Sequence, residues 1–137
     1  MKNIVLIVFS LLINNINAQD EKLALKFFED GNFNAALSEY EVLIKDDLKN
    51  IDYNFNLAIS YLNTNGDKSR AIPYLEFLVQ DPKIVPDTWY LLGRAYHFGY
   101  QFAKAIVAYQ KFLEINKGNI LNLDDAPKQI EYCENAK

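Results

Sequence analysis

Cysteine and histidine occur once each in the 137 residues, as Cys133 and His97. A lone cysteine excludes an internal disulfide, so stability must come from packing even in an oxidising compartment. The same scarcity leaves no His/Cys cluster with metal-ligand spacing. A nucleophile and its base would have to be Cys133 and His97, which fall in different predicted helices, whereas such catalysis needs the two within hydrogen-bond reach. The five glycines build no phosphate-cradling loop, and with only four prolines beside them long disordered linkers are not expected. Positive charge is also short. Against 18 Asp and Glu stand 14 scattered Lys and Arg, which argues against nucleic acid or an anionic membrane surface as partner. The acidic doublets Asp46-Asp47 and Asp124-Asp125 are accounted for as helix-end charges. The expectation is a protein with no catalytic residue, no metal and no cofactor.

Half of the residues are hydrophobic, with nine tyrosines and nine phenylalanines, enough for one aromatic-rich globular domain. The one long apolar run stands at the start. Met1-Lys2-Asn3 is a short cationic opening, Ile4 to Ile13 is apolar, and Asn14 to Ala18 is polar and ends in a small residue. That order predicts a secretory signal peptide over residues 1–18, cleaved after Ala18. The run is too short to span a bilayer comfortably, so no integral membrane segment is expected once it is removed. No cysteine stands at the cleavage point to accept lipid. Without Lys2, residues 19–137 carry 13 basic and 18 acidic residues, a net charge of −5. The expected location is the periplasm, with any outer-membrane association made through partners.

The most informative stretch reads W-Y-L-L-G-R-A-Y and then A-K-A-I-V-A-Y. Trp89, Leu92, Gly93 and Tyr96 have the spacing W-x2-L-G-x2-Y, and Ala105 with Tyr109 supplies A-x3-F/Y. Both resemble the tetratricopeptide (TPR) repeat. Helix packing underlies the spacing: Leu92 and Tyr96 share one stripe of a first helix, and Gly93 lets the second helix approach. Ala105 would sit at the crossing. Stepping back from Ala105 lands on Ala71 and then Ala36, 34 and 35 residues apart, as a TPR array requires.

The fold expected is an all-α superhelix of three helix pairs and a C-terminal capping helix, with repeats over about 19–50, 51–84 and 85–118 and the cap over 119–137. In the first repeat, a helix from Asp20 to Asp30 carries Leu23, Ala24 and Phe27, Gly31-Asn32 is the turn, and Phe33, Ala36, Tyr40 and Leu43 follow at helical spacing. In the second, Leu57, Ala58 and Tyr61 precede a break at Asn63 to Asp67, then Ala71, Tyr74, Leu75 and Leu78, with Pro73 near the helix start and Asp81-Pro82 closing the repeat. Asp87 is the expected N-cap of the Trp89 helix, His97 to Tyr100 its turn, and Gly118 the end of its partner helix. The last helix should begin around Asp124 to Pro127 and place Ile130 and Cys133 on one face, covering the apolar flank of the array.

The resemblance also implies a groove, lined by the first helix of each repeat. Carrying its positions over gives Glu21, Leu25 and Phe28, then Asp52, Phe55, Ile59 and Asn63, then Tyr90, Arg94, His97 and Phe98. Such a mixture suits a peptide or helix of a partner protein, with Arg94 as cationic anchor and Tyr90 and Phe55 as apolar contacts. Leu25, Phe28 and Ile59 equally suit burial between helices. In the branch of the family that clamps C-terminal carboxylates, the corresponding positions carry Lys and Asn. Here only Arg94 is cationic, so a cytosolic chaperone cofactor is disfavoured.

A narrower resemblance rests on the leader ending in Asn-Ala-Gln, on Trp89 to His97, and on the terminal Lys128 to Lys137. Together these are similar to the N-terminal region of Bacteroidetes-type envelope proteins, in which a TPR segment continues into a β-propeller and an OmpA-like peptidoglycan-binding domain. Some members of that family serve type IX secretion and gliding. Neither later domain is within these residues, so peptidoglycan binding is not carried over. The chain is expected to be a fragment of a longer protein or a stand-alone adaptor. Its expected function is a non-catalytic envelope module that binds a protein or peptide. The competing reading is a structural element that self-associates through the array end or the last helix.

Overall fold

Apolar residues recurring every three or four positions fold the chain into helices, and short polar turns reverse it. The computed structural model describes residues 18–116 and 122–136. The expected leader up to Asn17 and the glycine cap expected at Gly118 lie outside the described residues. Helix α1 covers residues 18–29, α2 Phe33–Leu43, α3 Ile51–Asn63, α4 Ile72–Leu78, α5 Asp87–Phe98, α6 Phe102–Ile115 and α7 Ala126–Asn135. Among the described residues there is no strand. Phe28 of α1 meets Phe33 and Tyr40 of α2 edge-on, and from α2 to α7 each helix packs on the next in sequence. Three hairpins and a closing helix result, an all-α TPR helical array.

Local chemistry sets the ends. Asn32 and Asn50 cap α2 and α3 with side-chain oxygens that accept from the amides of Ala35 and Tyr53. Gly31 takes the left-handed backbone (φ 72°) that the α1–α2 turn requires. Lys68 donates to the carbonyls of Leu62 and Thr64 at 2.7 Å each, closing the end of α3. The second hairpin's return helix starts as a 3-10 turn over Lys68–Ala71 and becomes the seven-residue α4 only at Ile72. Pro73, within the first turn, has no N–H to give a carbonyl four residues back, so α-geometry does not extend further.

Two expected boundaries differ. Asp87 is the first residue of α5 and Pro86 the cap, with no side-chain cap bond. The Asp87 carboxylate instead accepts from the Asn122 side chain at 3.3 Å. His97 and Phe98 belong to α5, so the turn is confined to residues 99–101, and Tyr100 rather than Gly99 adopts positive φ (57°). Gly99 serves close approach: a Cβ there would stand 3.1 Å from Ser69 Cβ and 3.3 Å from Ile72 Cδ1.

Ala36, Ala71 and Ala105 are each 0% exposed, as small residues at helix crossings must be. Gly93 has a more specific role than admitting the neighbouring backbone. A Cβ on it would lie 2.6 Å from Cδ1 and Cε1 of Tyr109, so the ring itself fills that space. On α7, Ala126 and Cys133 are buried and Ile130 packs against the core, as a helix covering an apolar flank requires.

Candidate partner-binding site

The side chains of α5 divide by helical period into two faces. Tyr90, Arg94, His97 and Phe98 project together, and with Tyr109 of α6 and Gln129 of α7 they line one cavity of about 310 Å³. That volume is at the lower end for ligand sites and suits one or two side chains rather than a large cofactor.

The cavity's polar groups are few and convergent. Arg94 is half-buried and, among the described residues, takes part in no ion pair; the pairs present are Arg70–Glu41 and Lys111–Glu114. Tyr109 is 0% exposed, and its hydroxyl has no hydrogen-bond partner among the described residues. Burial pushes that phenol well above its ordinary value, so it is a neutral O–H donor. The Gln129 amide turns away toward Asp125 Oδ1 at 3.4 Å. His97 is held among rings, 4.9 Å from Tyr132, 5.8 Å from Phe102 and 6.3 Å from Phe98 between centroids. The Arg94 side chain therefore borders space walled by aromatic surface, with the Tyr109 hydroxyl enclosed behind that wall.

Tyr90 corrects its expected role. It is 7% exposed rather than offered as a contact, and its hydroxyl donates to Asp125 Oδ2 at 2.6 Å. Burial first, then that bond to a carboxylate, pushes its phenol up to about 12. The earlier repeats place their residues outside the cavity. Glu21 and Leu25 are exposed on α1, and Asp52 is exposed in the first turn of α3. Phe28 packs against Phe33 and Tyr40, while Phe55 and Ile59 are half-buried. Asn63 is spent on its own helix, donating to the Ile59 carbonyl at 2.8 Å.

Tyr109 and Gln129 are the two lining residues that the sequence reading missed. A tyrosine at an A-x3-F/Y core position carries a hydroxyl that must go somewhere, and that was the available signal. Among the described residues, no group of three or more His, Cys, Asp or Glu could hold a metal ion, and no helix is long and apolar enough to cross a membrane.

Residues 87–117, a stretch that takes in α5 and α6, match the tetratricopeptide repeat family. No curated protein matches the chain. Among solved structures, it is similar to the first TPR domain of the human RPAP3 protein, determined by NMR, at a TM-score of 0.63 and 18% identity, over 88% of this chain and 91% of that one. A second similarity is to the MamA protein, at a TM-score of 0.45 and 18% identity, over 88% and 81% of the two chains. At these identities the likeness to RPAP3 concerns the fold.

Proposed function

We propose that this TPR-fold chain is a non-catalytic protein-interaction module that receives a partner's peptide or helix against α5 and α7. The observation that carries this reading is the cavity lined by Arg94, His97 and Phe98, in which Arg94 makes no ion pair among the described residues. A partner's carboxylate or carbonyl beside Arg94 would gain a charge-assisted hydrogen bond there. Phe98, 45% exposed, flanks the opening with apolar surface. The cell envelope is the proposed setting, with a type IX secretion or peptidoglycan-linked assembly as the complex served. The order of residues 1–18 and the resemblance to Bacteroidetes-type envelope proteins support it.

The test is cross-linked capture of partners from the native envelope by wild type, Arg94→Glu and Phe98→Ala. Tyr90→Ala is unsuitable, because it would strip Asp125 of its buried donor. Partners held by wild type and lost by both variants, at unchanged helicity, support the cavity as the working site. Retention of every partner by both returns these residues to ordinary helix surface. Tyr132, 60% exposed on α7, favours the second reading, self-association through the last helix. A monomeric mass in solution at high concentration would remove that reading.

A further inference from the structure

On the other face of α5, successive hairpins carry one surface cluster that is complete in the first case and incomplete in the second. In the α3/α4 hairpin, the Tyr61 ring stacks on Tyr74, with centroids 5.9 Å apart and 13° between planes, and the Arg70 guanidinium lies 4.6 Å from the Tyr61 centroid. The Tyr61 hydroxyl donates to Glu41, which also pairs with Arg70 at 3.0 Å. One repeat on, Tyr96 stands 35 residues after Tyr61, Glu76 35 after Glu41, and Lys104 34 after Arg70. The Tyr96 hydroxyl donates to Glu76 at 2.5 Å, and Lys104 Nζ sits 5.2 Å from the Tyr96 centroid.

The fourth member is different. Tyr74 has Ala108 as its counterpart, 34 residues later. Beside Ala108 there is an open groove of about 330 Å³, walled by Trp89, Leu92, Tyr96, Lys104 and Val107. Lys104 is the single charged side chain in that wall, and among the described residues it makes no ion pair. In the preceding hairpin Arg70 pairs with Glu41 and the Tyr61 ring has its stacking partner, whereas Glu76, the counterpart of Glu41, accepts from the Tyr96 hydroxyl and forms no ion pair with Lys104.

We propose that the groove receives an aromatic side chain from a segment of a partner protein, stacked on Tyr96 as Tyr74 stacks on Tyr61, with an adjacent carboxylate of that segment paired to Lys104. The chain itself supplies the precedent for this geometry, and the lone cation in an apolar wall supplies the charge preference. This contact lies on the face of α5 opposite Arg94, so it stands or falls separately from the α5–α7 cavity.

Trp89, the only tryptophan, lines the groove and reports its occupancy by fluorescence. The full chain is titrated with two blocked acidic pentapeptides, one with a central phenylalanine and one with a central alanine. A saturable change in Trp89 emission is expected, with the phenylalanine peptide binding about 2–10-fold more tightly, the range an aromatic pair contributes beyond its area. Lys104→Glu should weaken that peptide by up to about fivefold, as loss of a rim ion pair does. Ala108→Tyr, which supplies the ring from within, should abolish the change. Arg94→Glu should leave it intact. If Ala108→Tyr does not fold, the surface variant Lys104→Glu decides. Equal affinity for the two peptides, no emission change with either, or sensitivity to Arg94→Glu but not to Lys104→Glu would overturn the proposal. So would a concentration-dependent emission change in the protein alone, which would make a second copy the occupant.

Discussion

Tyr40 and Tyr109 occupy the same place in the first and third hairpins, four residues after Ala36 and Ala105, yet they are used in opposite ways. Tyr40 is sealed: its ring packs beside Phe28 and Tyr53, and its hydroxyl accepts from the Asn56 amide of the next helix at 2.7 Å. Tyr109 is equally buried, beside Tyr90 and over Gly93, but the next helix offers Gln129, whose amide is turned to Asp125. Burial raises both phenols. The Asn56 bond draws Tyr40 back, and the nearby Arg94 charge draws Tyr109 back. One repeat position can therefore bond across to the next helix or leave its hydroxyl enclosed without a partner, and the neighbouring helix decides which.

Alkaline titration should have the largest effect, because it tests what the two ends share. Tyr40, Tyr61, Tyr90, Tyr96 and Tyr109 all have phenols above their ordinary value of 10.0, each with burial as the leading cause, and Tyr90 lies at about 12. Folding thus favours their neutral form. The stability this contributes is whole below pH 10 and is lost as pH rises through the folded values. The phenolate absorbance of these buried rings and the loss of helix should appear together above pH 10. Phenolate forming fully at 10 with helicity intact would show that burial does not govern these rings.

Next comes overpacking at the third hairpin. Gly93→Ala should destabilise by about 1–3 kcal/mol despite alanine's helix preference, since its Cβ meets the enclosed Tyr109 ring at 2.6 Å. Ala105→Leu should lower stability by a similar amount, about 1–3 kcal/mol. Denaturant melts check both, and an unchanged midpoint for Ala105→Leu would contradict its place at the crossing.

The paired hydroxyl deletions sharpen the comparison itself. Tyr40→Phe should lose about 1–2 kcal/mol, because it strands the Asn56 amide, whereas Tyr109→Phe should leave stability unchanged or raise it by up to about 1 kcal/mol. Equal losses in the two melts would erase the distinction between the hairpins. The smallest effect is expected of Arg70→Ala. Its pair with Glu41 joins side chains 59% and 38% exposed, so its loss should cost no more than about 1 kcal/mol and should shrink in high salt.

Much of the architecture was legible because it depends on spacing along one helix. Ala36, Ala71 and Ala105 could be placed by counting, and the Trp89 to Tyr96 signature falls on the hairpin that the repeat family matches. Tyr90, Arg94, His97 and Phe98 could be grouped for the same reason. What counting could not reach were contacts between repeats. Tyr90 reads as exposed until Asp125 of the approach to α7 is known to take its hydroxyl, and Gln129 reads as cap surface until α7 is docked. The groove beside Ala108 is equally hidden, since a small residue reveals a missing ring only once Tyr74 is seen stacked on Tyr61.

The two bonds that bring the approach to α7 against α5, Tyr90 to Asp125 and Asn122 to Asp87, have a mechanical meaning. Gln129 stands at the cavity because α7 docks through Ala126 and Cys133, and the two bonds add a clasp outside the opening. Asp125→Asn keeps the shape of the clasp while weakening its charge-assisted bond, and because Asp125 also accepts from Gln129 it should loosen that lining residue too. On the proposed reading, exchange of a ligand should then quicken with Arg94 untouched.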